Sequence, residues 1–353
     1  MTTIGIIGIA GKYGQWLKPR LEALGYNVIG SDLNSELGNQ TVVESSDVVI
    51  FSVPPRVTCE VIRSVIDFSR ADQLWIDITS LKTKPVEAML CSKANVIGLH
   101  PMCAPTGQNW KGQTVVACVE RCDHRWEDWI IELLLKFKAN VKFTTPIIHD
   151  KTMALVQVLP HFGQLVTAST IREMDASLED TLEFTSPFYR IAYSLMGRIL
   201  AQNPDLYFDI QTLNPYTPMV LRTFAYQVRR LREIIEMSDQ KRFLAEFADN
   251  RTHFGVKVVG EAFNLFDVLN QTLANWSPEY TLVLKSSKDR PGLLADCLRI
   301  LADAGINLTT IRSEQEKTPG HCKFVIGLDR KNDLPEVQEV VSRICEKIAT
   351  VSV

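Results

Sequence analysis

The spacing of apolar residues changes twice along the chain. From residue 3 to about 145, short β-rich runs at 4–9, 26–30, 48–53, 74–78, 96–99, 114–119 and 141–144 alternate with helical stretches. That alternation predicts a largely parallel sheet with helices on both faces. From about 148 to 275 apolar residues recur three and four apart, as in Leu221, Phe224, Val228, Leu231, Ile234 and Ile235. This spacing predicts an all-helical region. After Trp276-Ser277-Pro278, a linker by composition, strand patterns at 280–284, 307–313, 323–328 and 349–353 enclose helical patterns at 292–304 and 334–347, a βαββαβ unit. The expected architecture is a doubly wound α/β domain over 1–145, an all-helical domain over 146–276 and a small α+β domain over 280–353.

A chain of 353 residues exceeds one ordinary core, in keeping with several domains. Its net charge of −3, with both signs mixed, leaves no basic footprint for nucleic acid or an anionic membrane, so a small-molecule ligand is expected. The longest apolar runs, such as 48–53, are too short to span a bilayer, and Met1-Thr2-Thr3 lacks the cationic start of a signal peptide. A cytoplasmic protein is expected. The 8 cysteines lack regular spacing and behave as small buried apolar residues, with no disulfide framework. Cys118, Cys122 and His124 invite a zinc reading, but a fourth ligand is missing and Cys118 belongs to an apolar strand, so no metal site is expected.

Chemistry enters with the first turn. Ile4-Gly5-Ile6-Ile7 leads into Gly8-Ile9-Ala10-Gly11-Lys12-Tyr13-Gly14 and then a helix, the strand, tight turn and helix start that cradle a pyrophosphate. Asp32 ends the next strand, where a carboxylate accepts from adenosine ribose hydroxyls and repels a 2′-phosphate, favouring NAD over NADP. The first glycine sits one position early for the usual fingerprint, and Pro19 is expected to interrupt and kink the helix. Gly8, Ala10, Gly11, Lys12, Tyr13, Gly14 and Asp32 are assigned to NAD, together with Ser52, Val53 and Pro54 at the end of a later strand of this Rossmann-type domain.

Further blocks resemble the prephenate/arogenate dehydrogenase family: Asp77-Ile78-Thr79-Ser80-Leu81-Lys82, Gly98-Leu99-His100-Pro101-Met102, His149-Asp150 with Met153, Gln157 and His161-Phe162, and Ser186-Pro187-Phe188-Tyr189-Arg190 followed by Gly197-Arg198. After Met102, where relatives often carry an aromatic-Gly-Pro-acid or Ala-Gly-Thr-acid run, this chain has Cys103-Ala104-Pro105-Thr106. Independently of any family, His100 ends a strand at the edge where ligands sit in open sheets, and histidine is the side chain best poised to take a hydroxyl proton near neutral pH. Ser80 ends another strand at that edge. A helix over 187–202, opened by Ser186 and Pro187, places Arg190, Ser194 and Arg198 in one stripe about 80° wide, suited to a dianion. His149 and His161 would lie about 18 Å and 120° apart on an ideal helix, so they should not serve one atom. His124, His253 and His321 fall in no motif and are expected at structural or surface positions.

The resemblance implies a cyclohexadienol substrate, prephenate or arogenate, with hydride transfer to NAD and loss of carbon dioxide. It implies His100 as acid/base, Ser80 orienting the hydroxyl, and His161, Arg198 and Arg190 at the substrate. A generic 3-hydroxy-acid dehydrogenase typically relies on a helix lysine, for which no matching setting is evident, and a non-catalytic amino-acid sensor would have no use for His100, Ser80 and Arg198 together. Asp289-Arg290-Pro291-Gly292-Leu293 and the βαββαβ order resemble the ACT family of amino-acid-binding modules. That likeness implies an effector at Gly292, Leu293 and Asn307, tyrosine first and phenylalanine second. Long apolar helical segments imply a homodimer built by the helical region.

Overall fold

The computed structural model describes residues 2–177, 181–182, 184–274, 280–315, 321–329, 334–348 and 351–352. The chain divides into two compact units, one of Met1–Thr181 with Tyr193–Asp239, the other of Leu182–Ala192 with Gln240–Val353.

The first unit is built on seven strands: β1 (Thr3–Ile7), β2 (Asn27–Ser31), β3 (Val48–Phe51), β4 (Leu74–Asp77), β5 (Asn95–Pro101), β6 (Thr114–Arg121) and β7 (Asn140–Phe143). They lie in the order β2-β1-β3-β4-β5-β6-β7. Side chains alternate across the pleat, and the alternation divides the core in two. Ile4, Ile6, Val48, Ile50, Leu74, Ile76, Ile97 and Leu99 join one cluster, while Ile7, Val49, Phe51, Trp75 and Val96 join the other. Each central strand thus buries both faces, as a sheet covered by helices on two sides must. All pairings are parallel except β5 with β6. An antiparallel neighbour needs no crossover helix, so the segment between β5 and β6 is free to be a loop at the ligand edge.

Helices α1 (Lys12–Ala23), α2 (Asn39–Glu44), α3 (Pro55–Ser64), α4 (Thr83–Leu90) and α5 (His124–Lys136) cover the sheet. The expected interruption at Pro19 does not occur, and α1 runs unbroken through it. Pro19 and Gln15 both lie on the exposed face, where water can serve the carbonyl that proline leaves without a donor.

Helical structure follows, as expected, in α6 (Pro146–Met153), α7 (Leu159–Glu173), α8 (Pro187–Leu200), α9 (Pro204–Leu213) and α10 (Thr217–Glu236). Proline opens α6, α8 and α9, where its missing N–H costs nothing. Thr145 caps α6 by accepting from the Ile148 N–H, and Ser186 accepts from the Tyr189 N–H at 3.2 Å at the head of α8. Between α6 and α7 the backbone winds as a π-helix, Ala154–Val158. The ideal α-helical phase expected between His149 and His161 therefore does not hold.

The second unit contains α11 (Gln240–Phe254) and α12 (Val256–Ala274), then β8 (Tyr280–Ser286), α13 (Leu293–Asp303), β9 (Leu308–Gln315), β10 (Cys322–Leu328), α14 (Leu334–Lys347) and β11 (Val351–Ser352). Its antiparallel sheet has the order β11-β8-β10-β9. Leu282, Leu284, Leu293, Cys297, Leu301, Phe324, Ile326, Val337, Val340 and Ile344 form its separate core, the inner faces of two helices against one sheet. The linker expected at Trp276-Ser277-Pro278 lies outside the described residues.

Candidate active site

Strand β1 sits between β2 and β3, so a crevice opens at the carboxyl ends of these strands. Gly8 turns the chain there with φ +92°, and a Cβ on it would stand 2.4 Å from the Ser52 carbonyl oxygen at the end of β3. Only glycine permits that approach. A Cβ on Gly14 would stand 2.5 Å from the carbonyls of Gly8 and Ile9, which lets α1 start directly against the turn. Gly11 is the residue before α1, whose first turn carries no acidic side chain to occupy its free N–H groups. Asp32 accepts from the Ala10 N–H at 2.9 Å and the Leu33 N–H at 2.8 Å, tying the turn to the end of β2 while leaving lone pairs for a ribose. The cradle fits a dinucleotide. Lys12 is exposed beside it, and Ser52, Val53 and Pro54 line the turn from β3 into α3. The Tyr13 hydroxyl donates to the Cys103 carbonyl, and its ring packs against the core, edge-on to Trp16. Trp16 Nε1 donates to the Gly107 carbonyl at 2.9 Å, and Arg20 to the carbonyls of Gly107 and Gln108, each at 2.8 Å. Helix α1 thereby holds the loop that contains Cys103-Ala104-Pro105-Thr106.

His100 lies at the end of β5, 3 % exposed. Its Nδ1 is 2.9 Å from His149 Nε2, and His149 Nδ1 is 2.8 Å from Asp150 Oδ1. Asp150 also accepts from the backbone N–H groups of Lys82 at 2.8 Å and Thr83 at 2.9 Å, so one carboxylate binds α6 to the turn that carries Ser80. On its other edge His100 Nε2 is 3.4 Å from Gln157 Nε2, a residue of the π-helical segment. Such segments often mark functional sites because they re-aim side chains. Burial, then the neighbouring His149 and Lys82, push the His100 pKa well below the usual histidine range. Burial also lowers His149, against the opposing pull of Asp150. Burial alone would raise Asp150, but hydrogen bonds from His149, Thr83 and Lys82 outweigh it and hold the carboxyl below its ordinary value. Near neutral pH the array is two neutral imidazoles on one carboxylate.

His149, Asp150 and Lys82 all stand in the sequence blocks, but the sequence gives His149 no definite part and Asp150 and Lys82 none. Lys82, which directly precedes α4, is fully buried against Asp77 at the end of β4, and Asp77 also accepts from the Thr79 hydroxyl at 2.8 Å. Burial lowers the lysine pKa and raises that of the carboxyl, each opposed by the other group. The pair braces the turn through half-buried Ser80.

His161, on α7, packs edge-on against Tyr207 with ring centroids 4.8 Å apart. Burial, then the positive charge of Arg198, lowers its pKa to about 4. His161 Nδ1 and Gln157 Oε1 are buried without a protein partner among the described residues. Arg198 lies on α8 in the first unit, whereas Arg190, on the same helix, belongs to the second. In the C-terminal module Gly292 has φ +84° ahead of α13, Asn307 is exposed with its amide 3.4 Å from Asp329, and Leu293 is 1 % exposed within the core. Among the described residues no helix is long and apolar enough to cross a membrane and no cluster could hold a metal.

Residues 28–143 match the nucleotide-binding domain of prephenate dehydrogenase, residues 145–249 its dimerization domain and residues 280–346 the ACT domain. The first match starts beyond the glycine turn, whose reading rests on its own geometry. A probable arogenate/prephenate dehydrogenase of Methanocaldococcus jannaschii is 33 % identical over 273 residues, 72 % of this chain and 61 % of that protein. The T-protein of Haemophilus influenzae is 30 % identical over 253 residues, 71 % of this chain and 67 % of the relative. The fold is similar to that of prephenate dehydrogenase from A. aeolicus, solved with hydroxyphenyl propionate and NAD+, at a TM-score of 0.58, 20 % identity and coverage of 72 % and 99 % of the two chains. Synechocystis arogenate dehydrogenase superposes with a TM-score of 0.55, 18 % identity and coverage of 72 % and 100 %. With both catalytic-region domains and the C-terminal module matched in order, the chain belongs to the prephenate dehydrogenase family.

Proposed function

We propose that the chain is an NAD-dependent prephenate dehydrogenase, converting prephenate to 4-hydroxyphenylpyruvate with loss of carbon dioxide in tyrosine biosynthesis. The observation that carries the reading is His100, a buried imidazole held neutral at the strand edge that also forms the dinucleotide cradle. NAD+, when bound, supplies the hydride acceptor. His100 takes the proton of the substrate 4-hydroxyl as the carbon–hydrogen bond beneath it gives up its electron pair. Ser80 orients the same hydroxyl from the neighbouring turn. Arg198 holds a substrate carboxylate, and His161, neutral at its depressed pKa, hydrogen-bonds the substrate without adding charge. The bond to the ring carboxylate then breaks, its electrons complete the aromatic ring, and carbon dioxide leaves. Asp32 favours NAD over NADP by repelling a 2′-phosphate.

Prephenate is preferred over arogenate because the loop over 101–112 contains no Asp or Glu to pair with arogenate's ammonium, while Lys111, Arg190 and Arg198 are cationic. The test compares NADH formation with prephenate, arogenate and a simple 3-hydroxy acid. A kcat/KM highest for prephenate supports the reading. A higher value for arogenate moves the assignment to arogenate dehydrogenase, and turnover of the simple hydroxy acid alone overturns it.

The C-terminal module acts as the amino-acid sensor, with tyrosine as effector near Gly292 and Asn307. Tyrosine should inhibit the full chain and spare a chain ending at Ser277. Equal inhibition of both would place tyrosine in the active site as a product-like competitor.

A further inference from the structure

We propose that His149 and Asp150 are positioning residues that fix His100 as its Nδ1–H tautomer, leaving Nε2 as the lone-pair acceptor that faces Gln157. The inference rests on the reading of His100 as the proton acceptor and adds what decides which nitrogen accepts. Two backbone N–H groups, of Lys82 and Thr83, point at the Asp150 carboxylate and can only donate. An ionised carboxylate can only accept, so the proton in the 2.8 Å contact between Asp150 and His149 sits on His149 Nδ1. A neutral His149 then has a bare Nε2. The 2.9 Å contact between that nitrogen and His100 Nδ1 requires one proton, which must be on His100. His100 Nε2 is left bare, and Gln157 Nε2 can donate to it at 3.4 Å. Reversing the chain would require an imidazolium at His149 or a protonated Asp150, and the low exposure of both residues, 1 % each, opposes the first as the two backbone donors oppose the second.

The relay also acts during turnover. When His100 accepts a proton it becomes an imidazolium in a buried site, an unfavourable state unless a negative charge is near. Asp150, two hydrogen bonds away, supplies that charge through His149. The Asn214 amide donates to the Asp150 backbone carbonyl at 2.8 Å, holding the backbone from which the carboxylate projects. His149 and Asp150 touch no reacting atom in this scheme and act through His100.

The test is 15N NMR of the full chain with labelled histidines, at neutral pH and without substrate. The N–H···N bond couples the ring nitrogens of His100 and His149 to each other, so the pair identifies itself without any variant. The expected result is a protonated Nδ1 and bare Nε2 on both rings. A bare Nδ1 on His100, or no coupling between the two rings, overturns the proposal. His149→Asn removes the group that accepts from His100 and should lower kcat by about 10²-fold or more while KM moves little. His149→Gln restores an acceptor near the position of Nε2 and should recover most of the loss. Equal kcat in the Asn variant, the Gln variant and the wild type would also overturn it. The expected tautomers in a chain that oxidises neither prephenate nor arogenate would uphold the relay and refute the proposed function.

Discussion

At the residue scale, the site's chemistry depends on imidazoles that burial keeps neutral. His100 accepts a proton only when uncharged, and its pKa lies well below the usual value near 6.5. The acid limb of kcat/KM assigned to His100 should therefore fall below pH 6.5, and a limb at or above 6.5 would contradict the burial argument. His161 gives a stability consequence of definite sign. Its pKa falls from 6.5 unfolded to about 4 folded, so between those values the unfolded state binds more protons. Its contribution is fully present above pH 6.5, declines on acidification and is gone below about 4. The urea midpoint of the wild type should fall relative to that of His161→Gln as pH drops through that window, and a constant difference would count against it. The placement of His100 near the end of β5 and of Ser80 three residues past the end of β4, both at the ligand edge, was legible from the runs of β-rich residues before them. The parts proposed for His149 and Asp150 were not, since they depend on a contact of His149 with His100 made across 49 residues of sequence, with Asp150 behind it.

At the element scale, the sheet was legible because short continuous apolar runs alternate with helical stretches, and in the fold such a run buries both faces, Val48 and Ile50 in one core and Val49 and Phe51 in the other. The reversal of β6 was not, since hydrophobic pattern carries no strand direction, although a loop without a helix between β5 and β6 is its physical trace. The π-helical segment was invisible for a related reason: Ala154 and Val158 are buried as they would be in an α-helix, and only the geometry shows the change of phase that brings Gln157 to His100. The glycine turn makes the clearest demand of any element. Gly8→Ala adds a Cβ 2.4 Å from a backbone oxygen at φ +92°, where an L-residue already costs about 1–2 kcal/mol. The turn must open, and NAD affinity measured by titration calorimetry should weaken at least about tenfold. Unchanged affinity in a folded variant would mean that the turn does not hold the nucleotide.

At the scale of the whole molecule, helices α10, α11 and α12 leave Tyr226, Val228, Ile235, Leu244, Phe247, Phe263, Leu265 and Val268 more than half exposed. Those on α10 and α11, namely Tyr226, Val228, Ile235, Leu244 and Phe247, fall within residues 145–249, which match a dimerization domain, and exposed apolar side chains of this kind are what an interface covers. A dimeric mass by light scattering at micromolar concentration is expected, and a monomeric mass would exclude assembly through these helices under those conditions. In the proposed reaction His100 serves an oxidation coupled to decarboxylation. The most direct measurement mixes the chain with prephenate and NAD+ and quantifies NADH and 4-hydroxyphenylpyruvate together, alongside His100→Asn. Equal amounts of the two products are predicted from the wild type, with kcat lower by about 10²- to 10⁴-fold in the variant and NAD binding retained. Wild-type turnover in His100→Asn, or NADH formed without 4-hydroxyphenylpyruvate, would contradict the account.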